Sequence, residues 1–323
     1  MINLNINMKN PKMNKFLLFC AAIISLAALG AGCEKTPTEL PSRESKIPTD
    51  AVKITPATDV SPVKSLSAEY EDPIPLPAPI NTAGGEDSPF ILPDGQTLYF
   101  FFTPDVAIPI EKQIIDNVTG IYVAKKSGDE WQNPERVLLS KPGSAGSDGC
   151  EFVSGNTIWF CSVREGYDGI NWFTAEFKNE KWQNWKLADF PEEYKVGELH
   201  FTADGNEVYF HSDRVGGKGG LDIWVSKKVD GDWQEPENVS AINTAGDEGW
   251  PALSPDENEL WIYRNYSLWR SKKVDGGWTK PVQMFSPLAG EATIDNAGNV
   301  YFIHHYYKDD KMLEADIYFA KKK

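Results

Sequence analysis

The sequence predicts an all-β fold, a five-bladed β-propeller whose blades are four-stranded antiparallel sheets. The main observation is a tryptophan that returns at Trp131, Trp182, Trp233 and Trp278, with spacings of 51, 51 and 45 residues. The residues around it are similar each time, as in IWVSKKVDGDWQEPENV at 223–239. A period of about 50 residues that is rich in strand-forming residues is typical of propeller blades.

Each repeat begins with a hairpin. In GELHFTADGNEVYF (197–210), the turn-forming stretch ADGN precedes a run of aromatic and β-branched residues. The third strand of this repeat contains Ile223 and Trp224, and the fourth strand carries the periodic Trp233. Four antiparallel strands per repeat match one blade. Comparable first hairpins lie at 88–102, 149–161, 197–210, 249–263 and 290–302.

The last blade needs a strand from the beginning of the domain. The sequence has five first hairpins but four periodic tryptophans, and 317–320 is followed by no fourth strand. The segment 69–84 is similar to 232–246, including the shared INTAG. We therefore expect residues near 70–77 to form the outer strand of the last blade and to close a propeller over 70–323. Closure protects the sheet edges.

The N-terminal region has the pattern of an exported protein. In residues 1–32, three lysines precede an apolar run that is too short to span a bilayer, and small residues follow. We expect a signal peptide; an uncleaved membrane anchor is the alternative. Small residues before Cys33 resemble the lipobox of bacterial lipoproteins, which implies lipid attachment to Cys33. Residues 33–69 are rich in Pro, Ser and Thr, which predicts a lipid-anchored disordered tether.

Charge narrows the range of partners. The chain has 47 acidic and 32 basic residues and a formal charge of −15. Nucleic acid is excluded as a partner, because binding to phosphates requires a basic surface. A cationic peptide, a basic patch on a protein and a neutral sugar all remain compatible.

Two cysteines flank a predicted turn. Cys150 and Cys161 lie symmetrically about the Gly155-Asn156 pair, so a regular hairpin places them opposite one another. In an oxidising compartment, a disulfide forms if the two are a non-hydrogen-bonded pair. The alternative is two small hydrophobic side chains that face each other within the sheet.

Acidic residues recur near the start of each first strand. If these strands line a central channel, the carboxyl groups meet at one mouth and raise one another's pKa. Such a cluster suits a cation, a Lys or Arg of a partner, or the acid and base of a glycosidase. The competing interpretation is that these acids cap backbone amides and join neighbouring blades. The residues are Glu86, Asp87, Glu151, Glu198, Glu248 and Glu291.

Catalytic and cofactor motifs are not found. The sequence has no nucleophile elbow, no phosphate-binding loop and no dinucleotide fingerprint. The four histidines lack metal-binding spacing and a companion pair of cysteines. We therefore assign no catalytic residue and expect neither a metal nor a cofactor.

One family resemblance is specific. The segments NTAGDEGWPALSPDENELWIY (243–263) and VYFHSDRVGGKGGLDIWVSKK (208–228) resemble the PD40 repeat, the WD40-like repeat of TolB-type propellers and many bacterial envelope proteins. The resemblance covers roughly 80–323. It implies a propeller that serves as a binding platform, in some cases for a peptide at the channel mouth.

Two functions follow as hypotheses. The first is a non-catalytic binding or scaffolding propeller of the bacterial envelope, lipid-anchored in the outer membrane on its periplasmic side or at the cell surface. Its partner would be an envelope protein, a peptide or a peptidoglycan-associated molecule. The alternative is a carbohydrate-active propeller, either a glycan binder or a glycosidase, that uses the channel carboxylates.

Overall fold

The fold is all-β, as the sequence predicts. A computed structural model of the chain describes residues 40–109, 112–113, 116–139, 148–190 and 197–323. These residues form 24 strands and one short 3-10 helix at Arg43–Lys46. Every strand pair among them is antiparallel except for a single parallel bridge between Ala315 and Gly85. None of the helical structure in these ranges has the length and apolar character required to cross a membrane.

The strands in chain order are β1 Lys64–Ser65, β2 Ile74–Pro75, β3 Gly85–Ile91, β4 Thr97–Thr103, β5 Gly120–Ser127, β6 Glu130–Trp131, β7 Glu135–Arg136, β8 Gly149–Ser154, β9 Thr157–Val163, β10 Ile170–Lys178, β11 Lys181–Leu187 and β12 Leu199–Phe201. They continue with β13 Glu207–Ser212, β14 Asp222–Val229, β15 Asp232–Trp233, β16 Glu237–Asn238, β17 Glu248–Leu253, β18 Glu259–Arg264, β19 Ser267–Val274, β20 Gly277–Trp278, β21 Val282–Ser286, β22 Ala289–Ile294, β23 Val300–Lys308 and β24 Lys311–Ala320.

Consecutive strands pair with one another. Strands β8 to β11 form a four-stranded sheet in chain order. In β3 to β7 and in β12 to β16, the outermost part consists of two short strands that pair with the third strand. In β17 to β21, strands β20 and β21 pair with β19, and β1 lies outside β21. The predicted outer pairing of the last sheet is also present, because Ile74 and Pro75 of β2 pair with Phe319 and Tyr318 of β24.

The first strands of the sheets lie next to one another. Strand β3 contacts β8, β8 contacts β12, β12 contacts β17, β17 contacts β22, and β22 contacts β3. Behind them, the sheets pack through large apolar side chains. Phe302 of β23, for example, is fully buried and its ring centroid lies 5.1 Å from that of Phe285 in β21. Burial of one such side chain stabilises the fold by about 2–3 kcal/mol.

Residues 40–69 correct one prediction, because this segment packs on the sheets and is not a flexible tether. Arg43 is only 4% exposed and lies over the rings of Phe100 and Phe102. The Lys53 ammonium pairs with the carboxylates of Glu314 and Asp316, and β1 pairs with β21. Composition does not predict this packing, because the segment has few apolar residues and is held by cationic side chains and ion pairs. The predicted signal peptide and Cys33 lie outside the described residues.

Candidate functional site

A β-bulge interrupts four of the first strands at the same place. Pairing with the second strand skips two residues, for example between Asp87 and Phe90 in β3. The first skipped residue is not glycine, yet it has a left-handed backbone, which costs on the order of 1–3 kcal/mol. Such bulges redirect side chains. These residues are Ser88 (φ 47°), Cys150 (φ 55°), Trp250 (φ 49°) and Glu291 (φ 51°).

The redirected side chains line a central cavity. Its volume is about 40 Å³, and Glu198, which follows Gly197 as Cys150 follows Gly149, also lines it. A water molecule occupies about 30 Å³ in the liquid, so the space suits a small group. The lining residues used below are Ser88, Cys150, Glu151, Glu198, Trp250 and Glu291.

Two carboxyl groups of the central cavity are held by neighbouring side chains. The Ser88 hydroxyl donates to Glu291 at 2.7 Å, and Glu291 also hydrogen bonds with Asp87. Glu198 hydrogen bonds with the Cys150 thiol and the Trp250 indole. Burial, with Asp87 nearby, raises the pKa of Glu198 to about 8 and the pKa of Glu291 well above its usual value. With a pKa of about 8, Glu198 is mostly protonated at pH 7.

Glu151 differs from these two because, within the described residues, the hydrogen bond that its carboxylate accepts comes from its own backbone amide and from no neighbouring side chain. Its side chain is 6% exposed, and neither carboxylate oxygen accepts a hydrogen bond from another described residue. Burial, followed by the charges of Glu198 and Asp87, raises its pKa well above the usual value. The positive charge of Arg136 lowers the pKa of Glu151, but it offsets only part of the increase. The Arg136 guanidinium donates its hydrogen bonds to three backbone carbonyls. An unpaired buried carboxyl group costs free energy unless a partner arrives.

Two of the six predicted acids have a structural role. Glu248 accepts hydrogen bonds from the Thr244 amide and hydroxyl, at 2.7 and 2.6 Å, and from Arg264 at 2.7 Å. Glu86 accepts from the amide and hydroxyl of Thr82 at 3.0 and 2.6 Å. Burial raises the pKa of Glu86 to about 7. Both carboxylates cap backbone amides of a turn, which is one half of the competing interpretation of the sequence. Glu151, Glu198 and Glu291 line the central cavity, and Asp87 hydrogen bonds with Glu291.

The histidines near the central cavity are neutral. Burial lowers the pKa of His200 to about 3 and that of His211 to about 4. The His211 Nδ1 atom accepts a hydrogen bond from the Trp250 amide at 3.2 Å, which supports the bulge. Trp250 also packs edge-on against Tyr263, with ring centroids 4.9 Å apart. These histidines shape the wall of the cavity and carry no charge at neutral pH.

Of the two alternatives for Cys150 and Cys161, the disulfide is not present in the described residues. The bulge in β8 shifts the register, so Cys161 lies opposite Gly149 rather than Cys150. Cys150 instead points to Glu198 in the central cavity. A regular hairpin, assumed from the sequence, has no such shift.

The sequence missed the bulge position itself. Ser88, Cys150 and Trp250 were not predicted as neighbours of the acids. The sequence does contain a sign of the bulge. Gly149-Cys150 and Gly249-Trp250 occupy the same place in the repeat, and the residue after the glycine is the bulged one. In the described ranges, no group of three or more His, Cys, Asp and Glu side chains is placed to hold a metal ion.

The chain was compared with protein families, curated proteins and solved structures. No family model and no curated protein matches the chain. An arabinanase from Bacillus subtilis is 13% identical, with a TM-score of 0.46 over 74% of this chain and 95% of its own. A gluconolactonase from Xanthomonas campestris is 11% identical, with a TM-score of 0.46 over 81% and 94%. An endo-arabinase from Bacteroides thetaiotaomicron is 14% identical, with a TM-score of 0.42 over 73% and 93%. Similarity at this level assigns no activity to the chain.

Proposed function

We propose that the chain is a PD40-type, five-bladed β-propeller that acts as a non-catalytic binding module of the bacterial cell envelope. Support for the architecture comes from the succession of contacts among the five first strands and from the pairing of β2 with β24. In this proposal, residues 70–323 form the propeller. The sequence of 1–33 supports export and a lipid at Cys33.

The partner inserts a positively charged side chain into the central cavity. The observation that carries this proposal is Glu151, a buried carboxyl group that no other described residue hydrogen bonds, in a cavity that also contains Glu198 and Glu291. A lysine ammonium has three donors for these carboxyl groups, and it replaces the proton that Glu198 holds. Attraction between opposite charges is stronger in a desolvated site than in water. The face of Trp250 adds a cation–π contribution of about 0.5–2 kcal/mol.

The size of the cavity favours a head group over a whole ligand. At about 40 Å³, it is far smaller than the roughly 300–1,000 Å³ of typical small-molecule pockets. A lysine side chain enters such a space with its ammonium first, and the rest of the peptide stays outside. The strongly negative charge of the chain favours the approach of a basic partner.

A glycosidase is the second candidate, and one observation favours it. Glu198, with a pKa of about 8, holds a proton at neutral pH, as a general acid must, and Asp87 lies nearby. Against it, the hydrogen bonds of Glu198 and Glu291 occupy groups that catalysis would need free. Hydrolysis of aryl glycosides by the wild type and its loss in Glu198→Gln would favour this candidate over the binding module.

The binding proposal is tested with a peptide. Calorimetric titration compares acetyl-Gly-Gly-Lys-Gly-Gly-amide with the same peptide acetylated on the lysine amine. We expect only the charged peptide to bind, and Glu151→Gln to weaken binding about tenfold or more, since a charged hydrogen bond contributes about 1.5–3 kcal/mol. Glu165→Gln, at an exposed position, is the matched control and retains affinity. Equal binding of both peptides, or an unchanged affinity in Glu151→Gln, rejects the proposal.

The anchor is tested separately by cell fractionation. We expect the wild type in the membrane fraction and Cys33→Ala in the soluble fraction. A variant that stays in the membrane fraction would contradict lipid attachment at this residue.

A further inference from the structure

A second cavity lies away from the central one, between the sheet β8 to β11 and the sheet β12 to β16. Its volume is about 330 Å³, which falls within the range of small-molecule sites. We call it the outer cleft and define it by Trp159, Thr174, Lys186, Phe201 and Trp233. No group of the central cavity lines it.

Aromatic rings form the base of the outer cleft. The rings of Trp159 and Phe201 lie 4.8 Å apart, and those of Phe201 and Trp233 lie 6.0 Å apart. Phe201 is buried beneath the others, whereas Trp159 and Trp233 are partly exposed. Phe190 packs against both Phe201 and Trp233. The cleft therefore offers apolar ring surface to a ligand from both of its walls.

Polar side chains lie beside these rings in register. Trp159 of β9 is paired with Thr174 of β10, and Thr174 is paired with Lys186 of β11, so the three form one row across the sheet. Thr157 and Glu176 form the next row on the same face, since alternate residues of a strand share a face. The described part of the chain provides no hydrogen bond or ion pair for the side chains of Thr174, Glu176 and Lys186.

The charges of the outer cleft are balanced, unlike those of the whole chain. The lining contains two basic residues, Lys186 and Lys228, and two acidic residues, Glu176 and Asp189. The Lys228 ammonium lies 3.9 Å from the Asp189 carboxylate. The cleft has no excess of either sign, so it selects neither an anion nor a cation. A neutral ligand with one apolar face and many hydroxyl groups matches this lining.

From these features we propose that the outer cleft binds a neutral oligosaccharide. A sugar ring stacks its C–H face on Trp159, and its hydroxyl groups hydrogen bond with Thr174, Glu176 and Lys186. The site is independent of the central cavity and goes beyond the proposed function. It gives the propeller a glycan contact in addition to its peptide contact.

The test uses defined neutral hexasaccharides, namely hexamers of maltose, cellulose, xylan and chitin type, with a hexamer of galacturonic acid as the charged comparison. Titration is followed by calorimetry and by tryptophan fluorescence. We expect at least one neutral hexamer to bind and the charged hexamer to bind at least tenfold more weakly. Absence of binding by all four neutral hexamers overturns the inference.

Variants locate the site. Trp159→Ala and Lys186→Ala each reduce saccharide affinity at least tenfold. Lys186 is exposed, so its replacement tests the site at low cost to folding. Trp185→Ala is the matched control, because Trp185 is an exposed ring on the same strand as Lys186 but is not part of the cleft. Unchanged affinity in Lys186→Ala and Trp159→Ala overturns the inference. The lysine-peptide titration on Trp159→Ala keeps the outcome distinct from that of the central cavity.

Discussion

Replacing Glu198 with glutamine should stabilise the protein, and the gain should increase with pH. The usual pKa of glutamate is 4.5, and in the folded protein burial and then Asp87 raise the pKa of Glu198 to about 8. The folded state therefore binds this proton more tightly than the unfolded state. Stability from the protonated carboxyl group is complete below pH 4.5 and is lost as the pH rises to about 8. Glutamine has the same shape and never ionises, so the variant avoids this loss.

The magnitude follows from the same values. One pH unit corresponds to about 1.4 kcal/mol, so a pKa that moves from 4.5 to about 8 corresponds to about 5 kcal/mol at pH 9. At pH 7 only part of this interval has been crossed, and the expected difference is about 3 kcal/mol. At pH 4 the carboxyl group is protonated in both states, and the variant and the wild type should differ little.

The assay is equilibrium unfolding in urea at pH 4, 7 and 9, with the free energy of unfolding extrapolated to water. Glu165→Gln, an exposed position, serves as the control and should follow the wild type at every pH. A Glu198→Gln variant whose stability runs parallel to that of the wild type from pH 4 to 9 would refute the raised pKa of this carboxyl group. The same result would also mean that Glu198 does not have the raised pKa that the binding proposal assigns to it.

The remaining predictions concern the cation, the N-terminal segment and the thiols. Affinity for the lysine peptide should rise between pH 6 and 8, by at most about tenfold per pH unit, because the cation binds the ionised form of Glu198, whose pKa is about 8. Calorimetry in buffers of different ionisation enthalpy should show that binding releases a proton. An affinity that does not change with pH would contradict this prediction. Lys53→Met leaves two buried carboxylates without their cation and should lower the free energy of unfolding by about 2 kcal/mol in urea, whereas no change would mean that residues 40–69 contribute little. Alkylation of the denatured, unreduced protein should label both Cys150 and Cys161; protection of the pair would indicate a disulfide.

The strands were predictable because the same turn-forming residues recur in successive repeats. The tryptophan period and turns such as 203–206 locate the strands, and the shared INTAG sequence identified the pairing of residues near 70–77 with β24. Both signals come from comparing one repeat with another. They therefore survive without knowledge of how the sheets pack.

The site was only partly predictable, because its geometry depends on bulges. Glu86 and Asp87 are neighbours in sequence, yet Glu86 caps a turn and Asp87 hydrogen bonds with Glu291 of the central cavity. A shift of one residue moves a side chain to the other face of a strand, and a bulge introduces such a shift without any change in composition. The same effect separated Cys150 from Cys161. The docking of residues 40–69 depended on single ion pairs, to which composition is insensitive.

The docked N-terminal segment limits how far the protein can stand from a membrane. If Cys33 carries a lipid, as proposed, the first fixed point is Arg43, which is buried over Phe100 and Phe102. The nine residues between Cys33 and Arg43 span at most about 30 Å, whereas a free chain to residue 70 would reach about four times as far. The sheets would then remain within one domain diameter of the bilayer. Only molecules that come equally near to the lipid surface would be able to reach either cavity.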